Sequence, residues 1–140
     1  MRRRTVVASA FGGVGLASCS SFAEREPPVG LGRIRLVNAT DDVIEVVVTV
    51  EREGRRVHED AFELEYRGVR EVVDETMGHR VPYAVTVSVP GDSRAGTTSW
   101  ERLDSLVSNW GDMTCYELSF TVDTDEITTA FNADGVECPS

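Results

Sequence analysis

From Gly30 onward, apolar residues recur at every second position, and this pattern constrains the fold more than any other feature of the 140-residue chain. A period of two places alternate side chains on opposite faces of an extended strand, whereas a helix needs spacings of three and four. The pattern is clearest over Val43–Arg52, where Ile44, Val46, Val48 and Val50 share one face and Glu45, Thr49 and Glu51 the other. It returns over Val57–Tyr66, with Phe62, Leu64 and Tyr66 inward, and over Tyr83–Val89, with Tyr83, Val85, Val87 and Val89 inward. Cys115–Val122 repeats it with Tyr116, Leu118, Phe120 and Val122. Ile34 and Leu36 mark an earlier strand, and Ile127–Asn132 the last one. Val69–Val73 reads as a short strand, with a helix start as its competitor.

Turn formers punctuate these runs at Asn38–Asp42, Glu53-Gly54-Arg55, Gly68, Gly78, Pro90-Gly91-Asp92 and Asp123–Glu126. One stretch reads two ways. Gly96–Glu101 alternates, yet Trp100, Leu103, Leu106, Val107 and Trp110 fall at helical spacing, and Thr98 with Glu101 fits a capping box. The expectation is a strand to Trp100, then a loop holding one or two helical turns. Short strands with turns every eight to twelve residues predict an all-β fold, a two-sheet sandwich of about seven strands over residues 31–140.

The N-terminal segment follows different rules. Arg2, Arg3 and Arg4 precede an uncharged run, Thr5–Leu16, and small residues lead to Cys19. That is the layout of an export signal, and the run is too short for a membrane span, which needs roughly 20 apolar residues. A buried N-terminal helix or strand is the alternative, and the three arginines argue against it. Leu16-Ala17-Ser18-Cys19 resembles the lipobox of prokaryotic lipoproteins, and Arg3-Arg4-Thr5-Val6-Val7 resembles a twin-arginine export signal. The resemblance implies cleavage after residue 18, a lipid on Cys19, and anchorage to the outer face of the cell membrane. Residues 19–30, which include Pro27-Pro28, then read as a tether.

Cleavage there leaves 122 residues, enough for one domain, with eleven basic residues against 24 acidic ones. Such a surface repels nucleic acid, so the expected partners are the membrane, through the lipid, and a protein or other cell-surface component. All fourteen basic residues of the chain are arginine, and glutamine is absent. This acidic, lysine-free composition resembles that of extreme halophiles, with a merely acidic protein of a high-GC organism as the alternative. The strand order with a late cysteine hairpin is similar to that of small immunoglobulin-like lipoproteins of haloarchaea, although the Cys…Trp…Cys spacing of true immunoglobulin domains is missing. With Cys19 lipidated, Cys115 and Cys138 are left to pair in an oxidising exterior, against the alternative of two free thiols.

Chemistry is sparse in this sequence. His58 and His79 are the only histidines, and no histidine follows Met113, so Cys115 lacks the downstream ligands of a blue-copper site. Asp123, Asp125 and Glu126 crowd one turn and form a weak calcium candidate, with a solvated acidic turn as the plainer reading. Gly91-Asp92-Ser93 is a loop serine without a nucleophile-elbow motif, and there is no Gly-rich phosphate loop. No cofactor is expected, and no enzymatic role. Asn38-Ala39-Thr40 is an N-glycosylation acceptor pattern at a turn. Trp100, Trp110 and Phe131 belong either to the core or to an exposed aromatic patch, and large aromatics usually belong to the core. Two functions follow as expectations: a lipid-anchored, non-enzymatic surface module, or a lipoprotein that captures a solute or cation.

Overall fold

The computed structural model describes residues 26–139; the export segment with Arg3 and Arg4, and Cys19, lie outside these residues. The chain forms eight strands: β1 (Gly30–Asn38), β2 (Ile44–Arg52), β3 (Arg55–Leu64), β4 (Val69–Val72), β5 (Tyr83–Ser88), β6 (Ala95–Ser99), β7 (Cys115–Val122) and β8 (Ile127–Asn132). One short helix, α1 (Trp100–Leu106), follows β6. The strands make two four-stranded sheets, ordered β4-β1-β7-β8 and β3-β2-β5-β6. The expected all-β, two-sheet sandwich is thus formed, with eight strands. Its own mark is the central pair β1–β7, which runs parallel while every other pairing is antiparallel.

The core is the space between the inner faces that period-two alternation supplies. Val46, Val48 and Val50 of β2 and Val85 and Val87 of β5 are fully buried, as are Ile34 and Leu36 of β1 and Phe120 and Val122 of β7. Removing such side chains from water is the main driving force, worth about 1.5–3 kcal/mol for each. Glu53 and Gly54 both adopt positive φ, 54° and 82°, between the paired Arg52 and Arg55. A two-residue turn of that kind matches the twist of a hairpin.

β1 begins earlier than alternation suggests. Val29 and Leu31 are buried at odd positions, and Ile34 and Leu36 at even ones. The phase changes because the β1–β7 register shifts between Leu31 and Arg33, leaving Gly32 as the extra residue of a bulge. Pro27, Val29 and Gly30, placed by the sequence in the tether, are buried against the domain. Tyr66 also departs from expectation. β3 ends at Leu64, the chain turns through Arg67 at φ 58°, and Tyr66 stands 61% exposed. Val69–Val72 is a strand, paired antiparallel with β1.

The expected short strand and helical turn appear as β6 and α1. The residue that caps α1 is Ser99, whose side chain makes no cap bond; Thr98 stays in β6 and faces inward, so the Thr98–Glu101 capping box does not form. No helix among the described residues is long and apolar enough to cross a membrane.

Candidate functional site

Four aromatic rings gather where α1 and the loop after it lie over β7 and β8. Trp100 stacks on Trp110 at 5.3 Å between ring centroids, Tyr116 lies 6.3 Å from both, and Phe131 lies 6.4 Å from Trp110. Both tryptophans are buried, which places them in the core rather than in an exposed patch. The Trp110 indole Nε1 donates to Asp104 Oδ1 at 3.2 Å, satisfying the one polar atom the ring brings inside. Burial pushes the Tyr116 phenol far above its ordinary range, so it stays protonated at any physiological pH.

Beside this cluster, the edge strands of the two sheets meet along a seam. At its lower end β6 and β8 touch: a Cβ on Gly96 would stand 3.0 Å from Ile127 Cγ2 and 3.2 Å from Thr129 Cγ2. A side chain there would push these methyl groups back by a few tenths of an ångström, so a glycine suits the close approach of the two edges. At its upper end, where α1 replaces β6, the seam opens into a groove of about 310 Å³. Leu103, Leu106, Ala130 and Phe131 supply apolar wall, Arg102 a cation, and Thr98 and Thr129 the polar remainder. Leu106 is 63% exposed, and the buried hydroxyl of Thr98 has no hydrogen-bond partner among the described residues. Sequence reading missed this groove, because its residues come from three elements whose adjacency only the sheet pairing creates.

The disulfide lies at the start of β7, next to Tyr116 and at the same end of the sheet as Phe131. Cys115 and Cys138 are bonded, with Cα atoms 5.3 Å apart, as the cysteine count led us to expect. The bond fastens the C-terminal tail over the start of β1. A Cβ on Gly32 would lie 2.8 Å from Val136 Cγ1 and 2.9 Å from Glu137 O, and one on Gly78 would lie 3.1 Å from Pro139 Cδ. Nearby, Arg33 of β1 and its register partner Glu117 of β7 form a close ion pair, with Glu117 buried and Glu71 of β4 at 3.9 Å from the same guanidinium. The paired carboxylates raise the Arg33 pKa further, chiefly through the hydrogen bond to Glu117.

The remaining candidates resolve individually. Asn38 is fully buried, and its Nδ2, the atom a glycan would occupy, donates to the carbonyls of Asp42, Leu64 and Glu65 at 2.8, 3.2 and 3.0 Å. In the folded protein the acceptor pattern is an internal brace. Asp123, Asp125 and Glu126 are exposed in the β7–β8 turn, and no group of three metal-ligating side chains converges among the described residues. Serine 93 lies in an exposed turn where Arg94 binds Asp92 through its guanidinium.

One pairing the sequence concealed joins His58 of β3 to Asp74, Nδ1 to Oδ2 at 3.1 Å. The Thr76 main-chain N–H also binds Asp74, at 2.8 Å, and holds its carboxyl below the ordinary aspartate value; His58 adds to the effect. Nε2 of His58 is buried without a partner among the described residues, none of which places a hydroxyl or thiol on it as in an activated-nucleophile arrangement. No protein-family model matches the chain, and no curated protein is significantly similar to it.

Proposed function

We propose that this protein is a lipid-anchored module of the outer cell surface, a β-sandwich with an interaction or structural role rather than an enzymatic one. The observation that carries the reading is the use of the cysteines. The two in the domain are bonded to each other, and the third, Cys19, closes the lipobox-like Leu16-Ala17-Ser18-Cys19. A structural disulfide suits an exported protein, and the odd cysteine stands where lipoprotein signals are cut and acylated. Only seven residues separate Cys19 from Pro27, which is buried in the domain, so the sandwich would sit close to the lipid headgroups. The acidic, arginine-only composition fits a salt-rich exterior.

The test is the intact mass of the native protein extracted from its host's membranes. The expected species starts at a diacylated Cys19 and is lighter by two hydrogens for the disulfide. A soluble species retaining Met1 would overturn the anchor and, with it, the surface role.

A further inference from the structure

We propose that the sandwich is built to carry tension along its strands, between the chain that leads to Cys19 and the loops at its far end. The proposal rests on the anchored reading above for the direction of pull. The first observation is polarity. The chain enters at Pro27, beside the start of β7, while the loops that follow Asn38, Leu64, Ser88 and Val122 lie at the other end of the strands. A contact made by those far loops pulls directly away from the tether.

The second observation is the place of β1, the strand that receives the pull. It is an inner strand, with β7 on one side, in parallel register from Gly30↔Cys115 to Asn38↔Val122, and β4 on the other, from Ile34↔Val72 to Val37↔Val69. Hydrogen bonds between strands run across them, so a lengthwise pull on β1 loads both rows at once. Sliding the strand also breaks the Arg33–Glu117 pair, shifts the fully buried Leu31, Ile34 and Leu36 within the core, and draws Asn38 off its three carbonyls.

The third observation is that β1 and β7 start at the same end, where Cys138 is bonded to Cys115. Tension between Pro27 and the C-terminal tail therefore reaches the first residues of two parallel neighbours and peels them apart one register pair at a time, from Gly30↔Cys115 onward. The same row of bonds resists together in one direction and singly in the other.

The experiment stretches single molecules of the full chain at one fixed pulling rate. One thiol handle is on Cys19, and the second is on Asp125→Cys, in the β7–β8 turn, or on Ser140→Cys. The Cys19–position 125 pair should unfold at a severalfold higher force than the Cys19–position 140 pair, because forced unfolding reads an unfolding rate rather than the equilibrium stability. Ile34→Ala in β1 and Val87→Ala in β5 each truncate a fully buried side chain, and both should lower the urea midpoint. Only Ile34→Ala should clearly lower the lengthwise force. Equal forces in the two geometries, or a lengthwise force that falls as far with Val87→Ala as with Ile34→Ala, would overturn the proposal. Neither result bears on the anchor, which the intact mass tests separately.

Discussion

Asn38 Oδ1 accepts both the main-chain N–H and the hydroxyl of Thr40, at 2.9 and 2.6 Å, inside the closed end of the sandwich. The first and third residues of a glycosylation pattern are thus spent on each other. The rest of the Asn38 side chain ties three carbonyls together, and its backbone N–H binds Gly68 O at 2.9 Å. Asn38 therefore joins β1 to the loop that carries β3 into β4.

Removing that brace leaves buried carbonyls without donors, each costing free energy comparable to its lost hydrogen bond. Asn38→Ala should destabilise the fold by about 2–4 kcal/mol, and Thr40→Val by about 1–2 kcal/mol. Urea unfolding midpoints measure both. Mass spectrometry of the folded protein should find Asn38 unmodified; a glycan there on a stably folded chain would contradict the brace.

Asp74 gives the fold an acid limit. Its pKa is lowered in the folded state from an ordinary value of 3.8, by the Thr76 N–H first and the Thr76 side chain second, with the nearby His58 adding a smaller effect. A carboxyl of this kind stabilises the fold at all pH above its unfolded value, and that contribution is lost as pH falls through the folded one. Thermal melts taken downward from about pH 6 should therefore hold steady and then drop below about pH 4. Asp74→Asn should lie lower at neutral pH and fall less steeply in acid. Parallel curves for the two proteins would show that Asp74 is not one of the groups responsible.

The alternation that announces the strands is legible because each sheet has one buried face, so Val46, Val48 and Val50 must differ from their neighbours. Legibility fails wherever a strand changes phase. Val29 and Leu31 are core residues that no period-two template in step with Ile34 can include, because the bulge at Gly32 flips the faces. Tyr66 fails for the opposite reason: it continues the pattern past Leu64, but the strand has already ended. The groove and the His58–Asp74 contact lie further out of reach. Both join residues from separate elements, and only the sheet order decides that β8 lies beside α1 or that β3 lies near the segment after β4.

Gly32 and the disulfide hold the same piece of chain. The tail runs over the bulge where a side chain would strike Val136 and Glu137, and Cys138 fixes it to Cys115, whose own Cβ would be 3.0 Å from an alanine at position 32. Gly32→Ala should cost about 1–3 kcal/mol by overpacking, and replacing both cysteines with serine about 3 kcal/mol through the loop of 23 residues. Once the tail is loose, the alanine meets less resistance. The combined variant should therefore lose less than the two costs added, by about 1 kcal/mol. Strict additivity in denaturant midpoints would mean that the disulfide does not hold the tail on Gly32.

Glu45 and Glu63 sit directly opposite each other on the outer face of β2 and β3, both exposed. Like charges facing across an antiparallel pair repel, and here the repulsion adds to that of a chain with a net charge of −10. Added salt screens it, since the Debye length falls from about 10 Å at 0.1 M to about 3 Å at 1 M. The wild-type melting temperature should rise with NaCl or KCl across that range. Glu63→Arg replaces the repulsion with an exposed attraction and should stabilise the fold by about 0.5–1 kcal/mol at low salt. The gain should shrink as salt rises, because the same screening weakens the new pair, so the two melting curves converge toward 1 M. A wild-type melting temperature indifferent to salt would mean that surface repulsion is not what limits this fold, and would remove the main physical support for a salt-rich habitat.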